Sequence, residues 1–348
     1  MTEQRVGAGA IGAGRVPPAI AISPILSARY RPSDLDRIRE AAPGSRLVML
    51  SRDGLADGPL DDVEVLLRGW LSSEALERVV ARAPRLAWIH SASAGVERVL
   101  TPAVLGRSIV VTNARGVFSG PIAEYVVMML LAVSRRLPQL LELQRERTWQ
   151  PLEGREMRDV TVGIVGLGSI GRAVGDLAAA LGCRVIATRR NPSASRGEAD
   201  HVTSPPNPIL TIGGPEALPE LLGQSDFVVL TVPLTPETEN LIDEAALAAF
   251  MPGSWLINVA RGRLIDERAL LRALQEGRIG GAVLDTVREE PLQPGSPFYD
   301  LPNVILTPHT SWSSGRVLDR SIELFCRNMG RFVAGQTLHN LVDPRVGY

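Results

Sequence analysis

From residue 19 onward, short apolar runs rich in β-branched residues alternate with longer stretches in which apolar positions recur at helical spacing. Such runs are typical of buried strands, and their alternation with helices predicts an α/β fold with a mostly parallel sheet. The amphipathic segments 33–41 and 72–83 are expected to be helices. The strands predicted in this first part are 19–23, 45–50, 63–69, 85–90 and 108–113.

Residues 121–149 continue a helical pattern without glycine, and Pro138 is expected to break or kink this helix. A second α/β series follows, and an amphipathic helix at 316–335 is expected to pack back on the first domain. The strands predicted in the second series are 160–166, 184–188, 226–232, 254–260, 280–285 and 303–308. The predicted division is a flexible tail at 1–18, a first domain at 19–118 plus 312–348, and a second domain at 119–311.

In the second series, almost every polar cluster follows directly after a predicted strand. GLGSIG follows the first strand, RRN the second, PLTPET the third, ARG the fourth, DTVREEP the fifth and HTS the last. Ligands of open parallel sheets bind at the carboxyl ends of the strands. The sequence therefore predicts that one edge of one sheet carries the functional groups.

Composition narrows the classes of function. The net charge of −1 gives no electrostatic reason to expect nucleic acid or an anionic membrane as a partner. The sequence contains no lysine, so all 37 basic residues are arginine, which excludes Schiff-base and P-loop lysines. Two cysteines are too few for a disulfide framework or a zinc site, and we expect no metal.

Targeting signals are not apparent either. The N-terminal MTEQRVGAGAIGAGRVPP has no basic start followed by an apolar core, so it does not resemble a signal peptide. The longest apolar run, 125–133, is too short to span a bilayer. We therefore expect a cytoplasmic protein with no membrane partner.

The first loop of the second series has the spacing of a dinucleotide-binding turn. Gly166, Gly168 and Gly171 form GxGxxG after an apolar strand and before an alanine-rich helix, which is the context that this motif needs. The amides of Ser169 and Ile170 would then face the cofactor diphosphate. The alternative is a tight strand–helix turn without a ligand.

The residues at the end of the next strand indicate which dinucleotide the fold would bind. An NAD-binding fold usually has an acidic residue about 20 residues past the glycines. Arg189 stands there, 18 residues after Gly171, and Arg190 follows it. A guanidinium pairs with a 2′-phosphate, so the sequence predicts NADP(H) in preference to NAD(H), although NAD(H) stays open. The alternative is that both arginines are solvated surface groups.

Several motifs together resemble the D-2-hydroxyacid dehydrogenase family. They are HSASAGVERVL (90–100), GPIAEYVVMMLLAVSRRLPQ, DFVVLTVPLTPETENLI, LINVARGRLIDERALLRAL, GAVLDTVREEPL (281–292) and NVILTPHTS (303–311). The resemblance covers nearly the whole chain from about residue 45. It implies two Rossmann-like or flavodoxin-like domains with parallel sheets and an active site in the cleft between them.

The resemblance also implies the catalytic roles, each of which makes chemical sense. His309 matches the general acid and base, because imidazole titrates near neutrality. Glu290 matches its carboxylate partner, with Glu289 as the alternative. Arg261 matches the residue that binds the substrate carboxylate, with Arg263 as the alternative.

Further contacts are carried over from the same motifs. Asp285 resembles the group that bonds the nicotinamide carboxamide, although it could be only a strand-end cap. The backbone of the SASAG loop is expected to hold the substrate carboxylate, unless this loop is a plain turn. The substrate loop residues are Ala94, Gly95 and Val96, and the remaining cofactor contacts are Val232, Pro233, Thr238, Val259 and Ala260.

The predicted activity is reversible reduction of a small 2-oxoacid to the D-2-hydroxyacid with NAD(P)H. Glyoxylate or hydroxypyruvate is the expected substrate, and a homodimer through helix 121–134 is the expected assembly. The alternative is a corepressor-like binding protein of the same fold, which reports the state of its cofactor to a partner. A panel of 2-oxoacids separates the two hypotheses, because only the enzyme would oxidise the reduced cofactor.

Overall fold

The computed structural model describes residues 17–25, 30–190 and 208–345. The predicted tail, apart from residues 17 and 18, lies outside these ranges. The described residues form two compact units, one that takes in those before residue 119 and after residue 313, and the other those between 119 and 313. The chain passes from the second unit back to the first between residues 313 and 314.

Twelve strands lie within the described residues, and every ladder between them is parallel. In chain order they are β1 (Ala19–Ile22), β2 (Leu47–Met49), β3 (Val63–Arg68), β4 (Trp88–Ser91), β5 (Val110–Thr112), β6 (Thr161–Val165), β7 (Arg184–Thr188), β8 (Leu210–Gly213), β9 (Phe227–Leu230), β10 (Trp255–Asn258), β11 (Gly281–Leu284) and β12 (Val304–Leu306).

The α-helices of the described residues are α1 (Pro32–Ala41), α2 (Ser73–Arg82), α3 (Pro102–Leu105), α4 (Ser119–Ser134), α5 (Leu137–Arg145), α6 (Ser169–Ala180), α7 (Leu218–Gln224), α8 (Glu244–Ala248), α9 (Glu267–Gln275) and α10 (Val317–Val333). None of the helices in the described ranges is long and apolar enough to cross a membrane.

The first unit contains a five-stranded sheet with the order β2-β1-β3-β4-β5. Alternate residues of each strand enter the apolar layers on its two faces, as the two-residue period of a strand requires. The α10 helix completes one of these layers, because the rings of Phe325 and Phe332 stack on Trp88 with centroids 5.4 Å away. This core therefore uses residues from both ends of the chain.

The second unit contains a seven-stranded sheet with the order β12-β11-β10-β9-β6-β7-β8. The direction in which successive strands are added reverses beside β6, so β6 and β9 flank the switch point of a doubly wound sheet. The expected α/β architecture with two parallel sheets is thus confirmed. Its switch point lies at the carboxyl ends of the strands that precede the glycine-rich turn and the PLTPET segment.

The long helical pattern at 121–149 is two helices in the structure. The break lies before Pro138, at Arg136, whose backbone is left-handed with φ of 55°. Pro138 stands in the first turn of α5, where a missing amide proton leaves no helical hydrogen bond unmade. The break itself was predicted, but its position is earlier than the proline.

One strand of the second sheet was missed. β8 (Leu210–Gly213) is an edge strand that pairs only with β7, and its register with β7 shifts after Ala187. Its sequence, LTIG, is short and is followed by a second glycine, so its pattern does not stand out from the surrounding loop. The other predicted strands are present and are mostly shorter than expected.

Candidate active site

Predicted residues of the second unit occupy the loops after β6, β7, β9, β10, β11 and β12. Because all seven strands run parallel, these loops leave the sheet at the same edge. The edge therefore collects the predicted cofactor residues and the predicted catalytic residues of this unit.

Each of the three glycines in the turn after β6 serves a different purpose. Gly166 has a φ of 100°, which side chains rarely adopt. A Cβ on Gly171 would lie 2.2 Å from the carbonyl oxygen of Gly166, so only glycine lets the helix approach the turn this closely. A Cβ on Gly168 would meet no heavy atom within 4 Å. The turn is therefore closed on the protein side and open at Gly168, which suits a diphosphate.

The open side of this turn is the start of α6. Ser169 and Ile170 are its first residues, and the first amides of a helix have no partner inside the helix. Thr231, just after β9, holds the turn from the other side, because its hydroxyl donates to the carbonyl of Gly166 at 2.6 Å. Sequence reasoning missed Thr231, whose partner is 65 residues away.

Arg189 and Arg190 directly follow β7 and lie next to the glycine-rich turn. The amides of Gly166 and Leu167 donate to the carbonyl of Thr188 at 3.1 and 3.0 Å, so the two loops are joined one residue before Arg189. Arg189 is half-buried and Arg190 is exposed. Two guanidiniums thus stand at the position where the sequence predicts contact with a 2′-phosphate.

The loop after β9 fixes its own shape. Thr238 donates its hydroxyl to the carbonyl of Pro233 at 2.7 Å and accepts from the amide of Thr235 at 2.8 Å. Val232 lies against the glycine-rich turn, since a Cβ on Gly166 would come within 2.6 Å of its side chain. The hydroxyl of Thr238 is therefore used within the loop, and Val232 offers an apolar contact.

The turn after β10 presents Arg261. The side chain of Asn258 donates to the carbonyl of Arg261 at 2.9 Å and accepts from the amide of Ala260 at 3.1 Å. Val259 between them is buried. Asn258 thus sets the shape of the turn, a role that sequence reasoning did not assign to it.

Arg263, the alternative to Arg261, points to a different partner. Its guanidinium binds both carboxylate oxygens of Glu239 at 2.9 and 3.0 Å. Gly262, between the two arginines, packs against the backbone of the loop after β11, because a Cβ there would lie 1.9 Å from the carbonyl carbon of Val287. This close approach brings the Arg261 turn beside the loop that carries Glu290.

His309 and Glu290 form a direct pair. The Nδ1 atom of His309 lies 2.8 Å from a carboxylate oxygen of Glu290, and each side chain is a little more than one third exposed. Glu290, and not Glu289, is therefore the partner of the imidazole. Among the described residues, the Nε2 atom of His309 has no hydrogen-bond partner, which leaves it for a ligand.

Several neighbours keep the Glu290 carboxylate charged. Partial burial opposes ionisation, but it is outweighed by His309, by the amide of Val287 and by the charge of Arg261, so the pKa of Glu290 is lowered. The Arg261 guanidinium is thus close enough to Glu290 to act on it electrostatically. Glu290 thus interacts with His309 through a hydrogen bond and with Arg261 through its charge.

Asp285 lies at the end of β11 and is buried. Its carboxylate accepts from the amide of Thr310 at 2.8 Å, from the amide of Ser311 at 3.0 and 3.2 Å, and from the hydroxyl of Thr307 at 2.6 Å. It therefore fastens the loop that carries His309. Its contact with the nicotinamide carboxamide stays a prediction.

The predicted substrate loop lies in the first unit, after β4. The carbonyl of Ala94 accepts from the side chain of Asn113, that of Gly95 accepts from Ser93, and that of Val96 accepts from two amides. Within the described residues, the amides of Ala94, Gly95 and Val96 donate no hydrogen bond. This loop thus has the unused donors that a carboxylate requires.

No cluster of metal-binding side chains is found in the described part of the chain. The groups along the sheet edge instead suit a nicotinamide dinucleotide. The open space at Gly168, the amides at the start of α6 and the arginines after β7 match its phosphates in charge and in hydrogen-bonding type.

Comparison with known proteins gives concordant matches. The family model described as D-isomer specific 2-hydroxyacid dehydrogenase, NAD binding domain, matches residues 127–311. The chain is 31% identical over 322 residues to glyoxylate reductase from Korarchaeum cryptofilum, and the alignment covers 90% of each protein.

Two solved structures are similar over nearly the whole chain. One is a D-isomer specific 2-hydroxyacid dehydrogenase from Xanthobacter autotrophicus in complex with NADPH and MES, with a TM-score of 0.82 and 30% identity. The other is an NADPH-dependent glyoxylate/hydroxypyruvate reductase from Sinorhizobium meliloti in complex with NADP and sulfate, with a TM-score of 0.79 and 28% identity. Each match covers 95% of this chain and 100% of the other.

Proposed function

Because the chain belongs to the D-isomer specific 2-hydroxyacid dehydrogenase family, we propose that it is an NADP(H)-preferring reductase of short 2-oxoacids. Family membership makes it an oxidoreductase of the D-2-hydroxyacid dehydrogenase type, which reduces 2-oxoacids with NAD(P)H. Glyoxylate and hydroxypyruvate are the proposed substrates, supported by the similarity of the chain to a glyoxylate reductase and to a glyoxylate/hydroxypyruvate reductase. The observation that carries the proposal is the contact between His309 and Glu290.

The residues of the second unit divide the chemistry as follows. His309 holds a proton on Nε2 and gives it to the keto oxygen of the acid during reduction. Glu290 accepts a hydrogen bond from the Nδ1–H of His309, so it orients the ring and stabilises its protonated form. When bound, the reduced nicotinamide supplies the hydride that reduces the substrate carbon.

Arg261 is proposed to bind the substrate carboxylate. Its planar guanidinium suits two parallel hydrogen bonds to a carboxylate, and its charge also polarises the adjacent carbonyl. The backbone of Ala94, Gly95 and Val96 in the first unit is proposed to bind a carboxylate as well, through the three amides that donate no bond within the described residues.

The cofactor residues are proposed to be those of the loops after β6, β7, β9, β10 and β11. Gly166, Gly168, Ser169, Ile170 and Gly171 would surround the diphosphate, and Arg189 and Arg190 would bind a 2′-phosphate. Val232, Pro233 and Thr238 would contact the adenosine side, while Val259, Ala260 and Asp285 would contact the nicotinamide side.

A homodimer through α4 is also proposed. Met128 and Leu131 on this helix are exposed, and so are Leu140 and Leu141 on the following helix α5. Exposed apolar residues on neighbouring helices are typical of protein interfaces. The cytoplasmic location expected from the sequence stays a prediction.

The proposal is tested with purified protein, NADPH and a panel of 2-oxoacids, followed by the near-ultraviolet absorbance of the reduced cofactor. We expect turnover with glyoxylate or hydroxypyruvate. His309→Ala should reduce kcat by roughly 10²–10⁴-fold because the proton donor is lost, while the Kd for NADPH stays unchanged. The exposed His339→Ala is the matched control.

Two outcomes would contradict this function. Normal turnover by His309→Ala would remove the assigned acid. Tight NADPH binding without turnover of any acid would favour the corepressor-like alternative.

The cofactor preference has its own test. The wild type should show a higher kcat/KM with NADPH than with NADH, and Arg189→Ser should lower the NADPH value while leaving the NADH value nearly unchanged. The reason is that only NADPH carries the 2′-phosphate that a guanidinium recognises. A strong preference of the wild type for NADH would rule out the assigned role of Arg189 and Arg190.

A further inference from the structure

A chain of hydrogen bonds runs from helix α4 to the loop that carries His309. The phenol oxygen of Tyr125 lies 2.6 Å from the hydroxyl oxygen of Thr307, and Thr307 donates to the carboxylate of Asp285 at 2.6 Å. A hydroxyl has a single proton, and Thr307 gives it to Asp285. The phenol of Tyr125 must therefore be the donor to Thr307, which fixes the direction of the whole chain.

The far end of this chain holds both sides of His309. The carboxylate of Asp285 accepts from the amides of Thr310 and Ser311, and the carbonyl of Asp285 accepts from the amide of His309 at 2.8 Å. The amides of three consecutive residues, 309–311, thus all donate to Asp285. A shift of the Asp285 carboxylate would be transmitted to the His309 backbone.

The backbone conformation of His309 has to be held by such hydrogen bonds. Its φ is 50°, in the left-handed region that residues with a side chain rarely adopt. A conformation of this kind persists only where the surroundings determine it. The hydrogen bonds of Asp285 and Thr307 are the described contacts that hold the two sides of this residue.

The surroundings of Tyr125 keep its phenol protonated, so that it can always donate a hydrogen bond. Its side chain is buried, and burial, assisted by the charge of Asp285, raises the pKa of Tyr125 to about 12. The phenol therefore keeps its proton throughout the neutral range. A buried donor with a partner at 2.6 Å is costly to leave unpaired, so the contact is expected to persist.

We propose that Thr307 and Tyr125 are positioning residues for the reaction, which hold the His309 loop through Asp285 so that Nδ1 of the imidazole stays on Glu290. This inference rests on the proposed function, because the two residues are proposed to make proton transfer by His309 efficient. Thr307 acts directly on the Asp285 carboxylate, and Tyr125 acts through Thr307.

The test compares variants that remove or keep the hydroxyl of Thr307. Thr307→Val keeps the shape of the side chain but removes both hydrogen bonds, and we expect kcat to fall by about 10–100-fold because the acid is misplaced. Thr307→Ser keeps the hydroxyl and should recover most of the wild-type rate. The KM for the 2-oxoacid should change by less than about threefold, because Arg261 lies on a different loop and keeps its own support.

Tyr125→Phe is the milder variant and keeps the inference testable if Thr307→Val does not fold. Loss of one hydrogen bond to a hydroxyl predicts a fall in kcat of roughly twofold to tenfold. Tyr299→Phe, which removes the phenol oxygen of an exposed tyrosine, is the matched control and should leave kcat unchanged. The acid limb of the pH profile should shift to higher pH in Thr307→Val but not in Tyr299→Phe, since a looser contact with His309 lets the lowered pKa of Glu290 rise toward its ordinary value.

The outcomes separate this inference from the function on which it rests. If the wild-type protein turned over none of the 2-oxoacids, both the proposed function and the positioning role would be rejected. An active wild type, together with a Thr307→Val protein that unfolds at a lower temperature but keeps the wild-type kcat and pH profile, would overturn the positioning role alone. A Thr307→Ser protein as slow as Thr307→Val would do the same, because the hydroxyl would not be the cause.

Discussion

At the scale of single residues, the pair of His309 and Glu290 sets the pH range in which the proposed reduction can run. The carboxylate pKa lies below its ordinary value, so Glu290 is charged at every pH above about 4.5. A charged partner favours the imidazolium, which is the form that donates a proton. Reduction should accordingly be lost as the pH falls through the lowered pKa of Glu290, because a neutral carboxyl no longer supports the imidazolium.

Replacing the carboxylate by an amide tests this dependence. In Glu290→Gln this position can no longer titrate, so the acid limb of kcat/KM that Glu290 sets should disappear, and kcat/KM above pH 4.5 should fall because the proton donor has lost its anionic partner. The measurement is the pH profile of NADPH oxidation, with Glu289→Gln as the neighbouring control. An unchanged profile would mean that the contact seen at 2.8 Å does not influence the proton donor.

His90 in the first unit offers a second pH dependence, this time in stability. Its ring is fully buried, its Nδ1 atom pairs with the hydroxyl of Thr112 at 2.8 Å, and its Nε2 atom has no partner among the described residues. Burial lowers the pKa of His90 from 6.5 to about 3. The folded state therefore favours the neutral ring, while the unfolded state takes up a proton below pH 6.5.

The sign of the effect follows from that lowered pKa. The stabilisation of the folded protein by the neutral His90 ring is complete above pH 6.5 and is lost as the pH falls toward 3. The free energy of unfolding changes in this range by at most about 1.4 kcal/mol per pH unit. His90→Asn keeps an acceptor near Thr112 but cannot take up the proton, so its free energy of unfolding should fall less steeply from pH 6.5 to 4.5. Urea unfolding at a series of pH values measures the difference. Equal slopes in the two proteins would count against the buried neutral ring.

The individual site residues could be predicted from the sequence only where a short motif carried them. His309, Glu290 and Arg261 stand in such motifs, and in the structure Glu290 interacts with the other two. Thr231 and Tyr125 lie inside two of the quoted motifs, but no motif assigns them a role, and their partners are 65 and 182 residues away. Hydrogen bonds of this range become visible only when the sheet brings the loops together.

At the scale of elements, the edge of the second sheet was predictable because each functional loop follows an apolar strand. The register of β10 and β11 places Asn258 beside Leu284, so the turn with Arg261 and the loop after β11 begin side by side. The edge strand β8 was not predictable, because four residues of the LTIG type next to glycine do not form a distinct pattern. Periodicity detects buried central strands more readily than short edges.

Gly262 is the point at which two of these loops touch. A Cβ at this position would lie 1.9 Å from the backbone of Val287, so Gly262→Ala should force the two loops apart. We expect a loss of about 1–3 kcal/mol in the free energy of unfolding and a higher KM for the 2-oxoacid, because Arg261 moves with its turn. Chemical denaturation and steady-state kinetics measure the two effects.

Gly295→Ala is the control for this substitution. A Cβ at Gly295 would meet no heavy atom within 4 Å, so the added methyl group should change neither quantity. Wild-type stability and an unchanged KM in Gly262→Ala would show that the two loops can separate without consequence.

At the scale of the whole molecule, the two units differ in how the chain builds them. The second unit is one continuous stretch, 119–313, with its own sheet and apolar core. The first unit needs α10, because Phe325 and Met329 are fully buried beside Trp88 in its core. Sequence periodicity predicted the helix at 316–335, and only the packed structure identifies which of its side chains are buried.

This difference predicts how fragments behave. Residues 119–313 expressed alone should fold and bind NADPH, because this continuous segment contains a complete seven-stranded sheet and the apolar cluster described above has residues of this segment only. A fragment that ends at residue 118 should not fold, since it lacks the aromatic rings that stack on Trp88. Circular dichroism during thermal unfolding and a titration with NADPH check both statements. A cooperative transition in the shorter fragment would mean that α10 is dispensable.

The second unit is a single continuous segment of the chain, and this has a consequence for how its coding sequence can be exchanged. His309, Glu290, Arg261 and the glycine-rich turn all lie on one contiguous segment, whereas the backbone amides proposed for substrate binding lie outside it. A single insertion or exchange of coding sequence can therefore move the reacting groups together, while the remainder of the gene diverges. Substitutions in the first unit can then change the loop proposed for substrate binding and leave the proposed proton-transfer residues intact.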